Sequence, residues 1–213
     1  MAVPFRTFVA EQWRNLPLLA TTETCSDGTY IVTGANQGLG LQTAKQLVVL
    51  GAAKVIIAVR NSRAGEEAKA EIDASTKTHD IVEVWPLDLV SYESVKAFAK
   101  RATEELGRLD ALIENAGIAL DSHDKWATAE GHETSITVNV LNTMLLAVLL
   151  LPKMMKSAQR SKILPHIVIV TSEVGFTARP EFDKVKDDPF VKMNDQKTAD
   201  MSQRYELNND RPV

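Results

Sequence analysis

The chain reads as an α/β protein, a single parallel sheet with helices on both faces. Three observations predict this class. From residue 28 onward, short runs rich in valine and isoleucine alternate with longer segments of helical period, as expected when each strand is followed by a helix that crosses back over the sheet. Three glycines, Gly34, Gly38 and Gly40, stand between the first such run and the first helical segment. No repeat, low-complexity tract or internal linker breaks the series.

TYIVTG (29–34) is the first predicted strand. LQTAKQLVVLG follows as a helix with Leu41, Ala44, Leu47 and Val48 on one side and Gly51 as its stop. KVIIAV (54–59) is the second strand, and RAGEEAKAEID an exposed helix laced with charge pairs. IVEVWPLDL (81–89) forms the third strand, after which Ser91 caps a helix whose Val95, Phe98, Ala102 and Leu106 face inward. ALIENAG (111–117) and IVIVTS (167–172) are the fourth and fifth strands, with a long buried helix around 132–157 between them. Within that helix the apolar run 143–151 falls short of the ~20 residues that cross a bilayer, and Pro152 is expected to close it. Right-handed crossovers then give the strand order 3-2-1-4-5, which leaves the fifth strand at an edge. Residues 28–213 are expected to form one domain and residues 1–27 an extension. Phe5, Phe8, Val9, Trp13 and Leu16 in that extension fall at helical spacing and are expected to pack as a lid on the domain rather than lie on a membrane.

Composition excludes several classes of function. With 45% apolar and 24% charged residues and a net charge of -4, the chain has no basic excess to hold a nucleic-acid backbone. The lone cysteine, Cys25, cannot form an internal disulfide, and His79, His123, His132 and His166 lack ligand spacing. A reducing, cytoplasmic setting and no metal are expected. The amino terminus is interrupted by Arg6, Glu11 and Arg14, so it does not read as a signal peptide.

The glycine turn TGANQGLG (33–40) carries the strongest chemical signal. In that context Gly34 permits the tight exit from the strand, Gly38 lets backbone approach a pyrophosphate, and Gly40 lets the helix pack close to the sheet. The helix start then offers unpaired N–H groups to phosphate. Gly34, Asn36, Gly38, Leu39 and Gly40 are the candidate residues of this turn. The second strand ends in Arg60, with no Asp or Glu from Lys54 to Arg63. A guanidinium there pairs with a 2′-phosphate, whereas a carboxylate would accept from a free 2′-hydroxyl, so NADP is preferred over NAD.

Five motifs in this order, TGANQGLG (33–40), LDL (87–89), NAG (115–117), Asn139 in TVNV and TS (171–172), resemble the short-chain dehydrogenase/reductase family, in its retinol-dehydrogenase-like and fungal secondary-metabolism branch. The resemblance runs from about residue 28 to Leu207 and implies a Rossmann-type sheet. It further implies that Asp88 and Leu89 border the adenine, that Asn115, Ala116 and Gly117 line the cofactor, and that Asn139 joins a proton relay through a bound water. By the same resemblance Ser172 holds the substrate oxygen and Tyr205 exchanges its proton, on a small apolar carbonyl or alcohol. Each residue also has a plainer role open to it: Asn115 in a turn, Ser172 and Asp88 as caps. Asn139 is costly inside an apolar helix unless its amide is satisfied.

The tail departs from the family pattern. The family places a lysine four residues after its tyrosine, and here that position is Asn209. A nearby cation favours the ionised phenol, and Arg211, six residues on and followed by Pro212, is badly placed to supply one. The family's last two strands have no counterpart in this sequence, which reads as truncated at the C-terminus. Two functions therefore stand side by side. One is an NADP-dependent oxidoreductase; the other is a catalytically impaired remnant that binds nucleotide, or pairs with another subunit through the open edge of its fifth strand, as a homo-oligomer or with a relative.

Overall fold

The computed structural model describes residues 10, 13–14, 19–119, 126–172 and 179–197. In chain order the elements are α1 (Thr22–Cys25), β1 (Thr29–Thr33), α2 (Gly38–Val49), β2 (Lys54–Val59), α3 (Ser62–Thr76), β3 (Val82–Pro86), α4 (Tyr92–Glu105) and β4 (Ala111–Glu114). A small hairpin of β5 (Thr128–Ala129) and β6 (His132–Glu133) follows, then α5 (Thr134–Ile136), a π-helical turn (Thr137–Asn142), α6 (Thr143–Ser161), β7 (His166–Ile169), α7 (Arg179–Val185) and α8 (Pro189–Met193).

Five strands form one parallel sheet in the order β3-β2-β1-β4-β7, the expected order with β7 in fifth place. The central strands β1 and β2 are buried along nearly their whole length because helices cover both faces. Alternation sorts their side chains: Ile31 and Ile56 join Leu112, Val95, Phe98, Leu146 and Leu150 under α4 and α6. Tyr30, Val32, Val55 and Ile57 join Leu41, Leu47, Ala68 and Ile72 under α2 and α3. The end of α2 closes as predicted, with Gly51 at φ +87 and the Gly51 and Ala52 N–H groups donating to Val48 and Leu47 carbonyls. Ser91 caps α4, its Oγ accepting from Ser94 N at 3.3 Å.

Several expectations are corrected. The strands are shorter than the apolar runs, since the third ends at Pro86, the fourth at Glu114 and the fifth at Ile169, after which the chain turns outward to form loops. The helix expected from about 132 begins at Thr134, because His132 and Glu133 pair with Ala129 and Thr128 in the hairpin. The helix passes through Pro152, where the apolar run ends, and continues to Ser161, beyond the expected end at about 157. Pro152 lacks the N–H that would reach the Val148 carbonyl, but both residues lie on the exposed side, where water can satisfy that oxygen. Nor is the helix buried all round: Leu146, Leu150 and Met154 are inside, while Met144, Val148, Leu151 and Met155 are exposed. The stretch Thr134–Ser161 is long and apolar enough to cross a membrane by length and composition, and half of its most apolar window is buried inside the fold. In the extension, Trp13 is 85% exposed rather than packed, and Phe5, Phe8, Val9 and Leu16 lie outside the described residues.

Candidate functional site

Because all five strands run parallel, the loops after β1, β2, β3, β4 and β7 emerge at one edge of the sheet, the edge where ligands of open α/β sheets bind. The glycine turn follows β1. Gly34 has φ +65, and a methyl group there would come within 2.9 Å of Ala116 Cα. A methyl group on Gly40 would meet Asn115 Nδ2 at 2.5 Å and the Gly34 carbonyl oxygen at 2.7 Å. Gly38, at φ +57, differs: beyond its chain neighbours and its own helix backbone, a methyl group there would meet no atom of the described residues within 4 Å. Gln37 at the N-cap places no side-chain acceptor on the first turn of α2, and that turn carries no acidic residue. Leu39 is exposed and Asn36 half-buried in the turn. The α2 start therefore presents uncapped N–H groups beside open space, which suits an anion.

A threonine holds this turn to the next loop. Thr33 Oγ1 accepts from both Asn115 N and Ala116 N at 3.0 Å, and Asn115 Nδ2 donates to the Thr33 carbonyl at 3.1 Å and the Gly34 carbonyl at 3.4 Å. Asn115 thus ties β4 to β1 through side chain and backbone together. Sequence reasoning missed Thr33; its one local signal is a hydroxyl placed directly after the apolar Ile31 and Val32 and directly before Gly34.

Arg60 is exposed at the end of β2 and forms no ion pair among the described residues. The neighbouring Asn61 is occupied as the cap of α3, accepting from Ala64 N at 3.2 Å. After β3, Asp88 Oδ1 accepts from Val90 N at 3.0 Å and Asp88 N donates to Ser94 Oγ at 2.9 Å, so Asp88 shapes its own loop while Ser91 caps the helix. Leu89 is buried.

The π-helical turn brings Asn139 to the loop after β4. Its Oδ1 accepts from Ile118 N and its Nδ2 donates to the Ile118 carbonyl, both at 2.8 Å, so the amide is satisfied. A methyl group on Gly117 would lie 3.3 Å from Asn139 Oδ1. Ser172, half-buried, follows β7 at the same sheet edge, where Val170 N donates to the Glu114 carbonyl at 2.9 Å. The structure therefore gathers Gly34, Gly38, Gly40, Arg60, Asp88, Leu89, Asn115, Ala116, Gly117, Asn139 and Ser172 at one edge. Tyr205 and Asn209 lie outside the described residues. Among the described residues no group of three or more His, Cys, Asp or Glu is placed to hold a metal ion.

A parallel five-stranded sheet with a glycine turn before α2 and a braced Asn-Ala-Gly loop after β4 places the chain in the dinucleotide-binding class of α/β folds. The chain belongs to the short-chain dehydrogenase family, whose model matches residues 29–183. Among its relatives are a short chain dehydrogenase/reductase, dmxR8, of Cryptosporiopsis sp., 42% identical over 90% of this chain and 58% of the relative. Another is the short chain dehydrogenase atnD of Emericella nidulans, 40% identical over 97% of this chain and 65% of the relative. The chain thus spans less than two thirds of the length of these relatives. Similar solved structures include a short-chain dehydrogenase from Sphingobium yanoikuyae in complex with NADPH (25% identity, TM-score 0.62, 85% of this chain and 61% of that one). A second, from Escherichia coli CFT073, is complexed with NADPH (26% identity, TM-score 0.62, 75% and 65%).

Proposed function

We propose that this chain binds NADP and works as an oxidoreductase that interconverts a carbonyl and an alcohol on a small apolar substrate. The observation that carries the reading is the pairing of an uncapped α2 start, open at Gly38, with a free guanidinium at Arg60 on the same sheet edge. The first suits a pyrophosphate and the second a 2′-phosphate, with no carboxylate from 54 to 63 to repel it. When bound, the dinucleotide supplies or accepts the hydride. The chain's own residues do the rest: Gly34, Asn36, Gly38, Leu39 and Gly40 form the phosphate turn, Asp88 and Leu89 the adenine wall, and Asn115, Ala116 and Gly117 the cofactor's inner side. Ser172 holds the substrate oxygen, Tyr205 gives or takes its proton, and Asn139 orders the path by which that proton is replaced. NADP-complexed structures of the family support the cofactor.

One sequence feature favours a second reading, in which nucleotide binds and turnover is weak: Asn209 stands where the family places a lysine that would lower the pKa of the phenol. Fluorescence titration of NADPH and NADH, with NADPH absorbance followed over a panel of apolar ketones, separates the two. Tight NADPH binding with turnover abolished in Tyr205→Phe is the expected result, since acid/base assistance is worth about 10²–10⁴ in rate. Tight binding without turnover selects the second reading, and failure to bind NADPH refutes both. The exposed Val168 and Val170 of the β7 edge and the outer face of α6 also support pairing with a second copy of the chain. A strictly monomeric species in light scattering would exclude that pairing. The proposed setting is the cytoplasm.

A further inference from the structure

The π-helical turn carries a second asparagine whose role none of the motifs assigns. Asn142 is fully buried, and its Nδ2 donates to the Leu89 carbonyl at 2.8 Å, while its Oδ1 has no hydrogen-bond partner among the described residues. The amide cannot be turned over to relieve that oxygen, because the Leu89 carbonyl then faces an acceptor instead of a donor. A buried acceptor left unmade is destabilising and offsets the bond to Leu89, so fold stability alone is a poor account of an asparagine here; a leucine of similar size would remove the unmet Oδ1 while leaving the Leu89 carbonyl without this donor.

What the asparagine supplies is a tether. Its neighbour three residues earlier, Asn139, grips the loop after β4 through Ile118. Asn142 grips the loop after β3 through Leu89. The wider π turn opens the angle between residues three apart, so that one segment reaches both loops. Thr143 Oγ1 stabilises the turn by donating to the Val138 carbonyl, five residues back, at 2.9 Å. On the other side of Leu89, the 88–94 segment is held by the Asp88 to Val90 and Asp88 to Ser94 contacts. Leu89 is fixed from outside that loop by Asn142, as Tyr92 is at its far end, where its N–H donates to Glu130 Oε1 at 2.8 Å.

We infer that Asn142 is a positioning residue for the adenine side of the cofactor site, setting the Leu89 backbone against which the base rests. This rests on the NADP reading proposed above. The test measures Kd for NADPH and for adenosine 2′,5′-bisphosphate, which carries only the adenine half, on the full chain and on Asn142→Leu and Asn142→Ser, together with thermal stability and hydrogen exchange. Losing one buried hydrogen bond that holds the wall is expected to raise both Kd values in parallel by about 3- to 10-fold. Exchange should quicken in residues 87–91 and stay unchanged in 115–118, and Asn142→Leu, which removes the unmet Oδ1 but leaves the Leu89 carbonyl without its donor, should change the melting temperature little. Unchanged affinity for the bisphosphate in a folded variant overturns the inference. So does loss of folding in both variants, which would make Asn142 a core residue only. If the unsubstituted chain binds neither ligand, the NADP reading itself fails, a result distinct from either of these.

Discussion

Replacing Gly40 by alanine puts the glycine turn to a direct mechanical test. The added methyl group would stand 2.5 Å from Asn115 Nδ2, 2.7 Å from the Gly34 carbonyl oxygen and 3.0 Å from Ala35 Cα. Two of these three are backbone atoms and cannot swing aside. Overpacking of this kind costs about 1–3 kcal/mol. If Asn115 rotates away, its bonds to the Thr33 and Gly34 carbonyls go with it, at about 0.5–1.5 kcal/mol each. Against this, alanine is the better helix former by about 1 kcal/mol. With Asn115 displaced the net loss is then about 1–5 kcal/mol, or a fall in Tm of about 2–20 °C for a chain of this size. Urea unfolding followed by circular dichroism measures it, with Gly38→Ala as the comparison. At Gly38 the methyl group meets nothing, so the stability cost is only the left-handed backbone, about 1–2 kcal/mol, while the methyl group stands in the space assigned to the pyrophosphate. Gly40→Ala should therefore damage folding more, and Gly38→Ala should damage NADPH affinity out of proportion to its stability. A Gly40→Ala protein within about 0.5 kcal/mol of the parent, or a Gly38→Ala protein that binds NADPH normally, would refute the reasoning.

Other outcomes follow from the same geometry. Arg60→Ala is expected to weaken NADPH binding by about 10- to 100-fold, the value of a charge-assisted contact, and to leave NADH nearly unchanged in competitive titration. Thr33→Val keeps the shape but leaves the Asn115 and Ala116 N–H groups without their shared acceptor, costing about 2–4 kcal/mol by thermal denaturation, with Thr33→Ser close to the parent. Lys54, by its hydrogen bond to Glu83, holds that carboxyl below its ordinary value, and the Trp85 Nε1 donor at 2.9 Å adds to this. A depressed carboxylate contributes stability above the unfolded glutamate value, about 4.3, and loses it as pH falls through the folded value. A plot of Tm against pH should accordingly fall less steeply below about pH 4 in Glu83→Gln than in the parent, and identical acid limbs would count against the pair.

Much of the fold was legible because its signals are local and repeated. The Val- and Ile-rich runs at 29–33 and 54–59 are buried on both faces, so they read as strands without any need for alternation. The glycine turn was legible for the same reason, since glycine between strand and helix has few other uses. What escaped detection depended on contacts far apart in sequence. The hairpin at 128–133 reads as the start of a helix until His132 and Glu133 find their partners. The outward face of the helix around Pro152, with Val148 and Met155 exposed, could not be told from its buried face by the apolar run alone. Thr33 and Asn142 gain meaning only through residues 82 and 53 positions away. The proposed acid/base role of Tyr205, and the reading of Asn209 as standing in place of the family's lysine, rest entirely on spacing and resemblance.

The wide turn at 137–142 also acts as a change of phase. Into its start the inward residues run Ser135 to Val138; from its end onward they fall at Asn142 and Thr143, then Leu146 and Ala147, Leu150, and Lys153 and Met154. One surplus residue lets the leading part of the rod be angled for the ligand edge while the trailing part is angled for the hydrophobic interior. A single deletion between Thr137 and Asn142 would force both parts onto one common screw, and either the asparagines or the leucines would then face the wrong way.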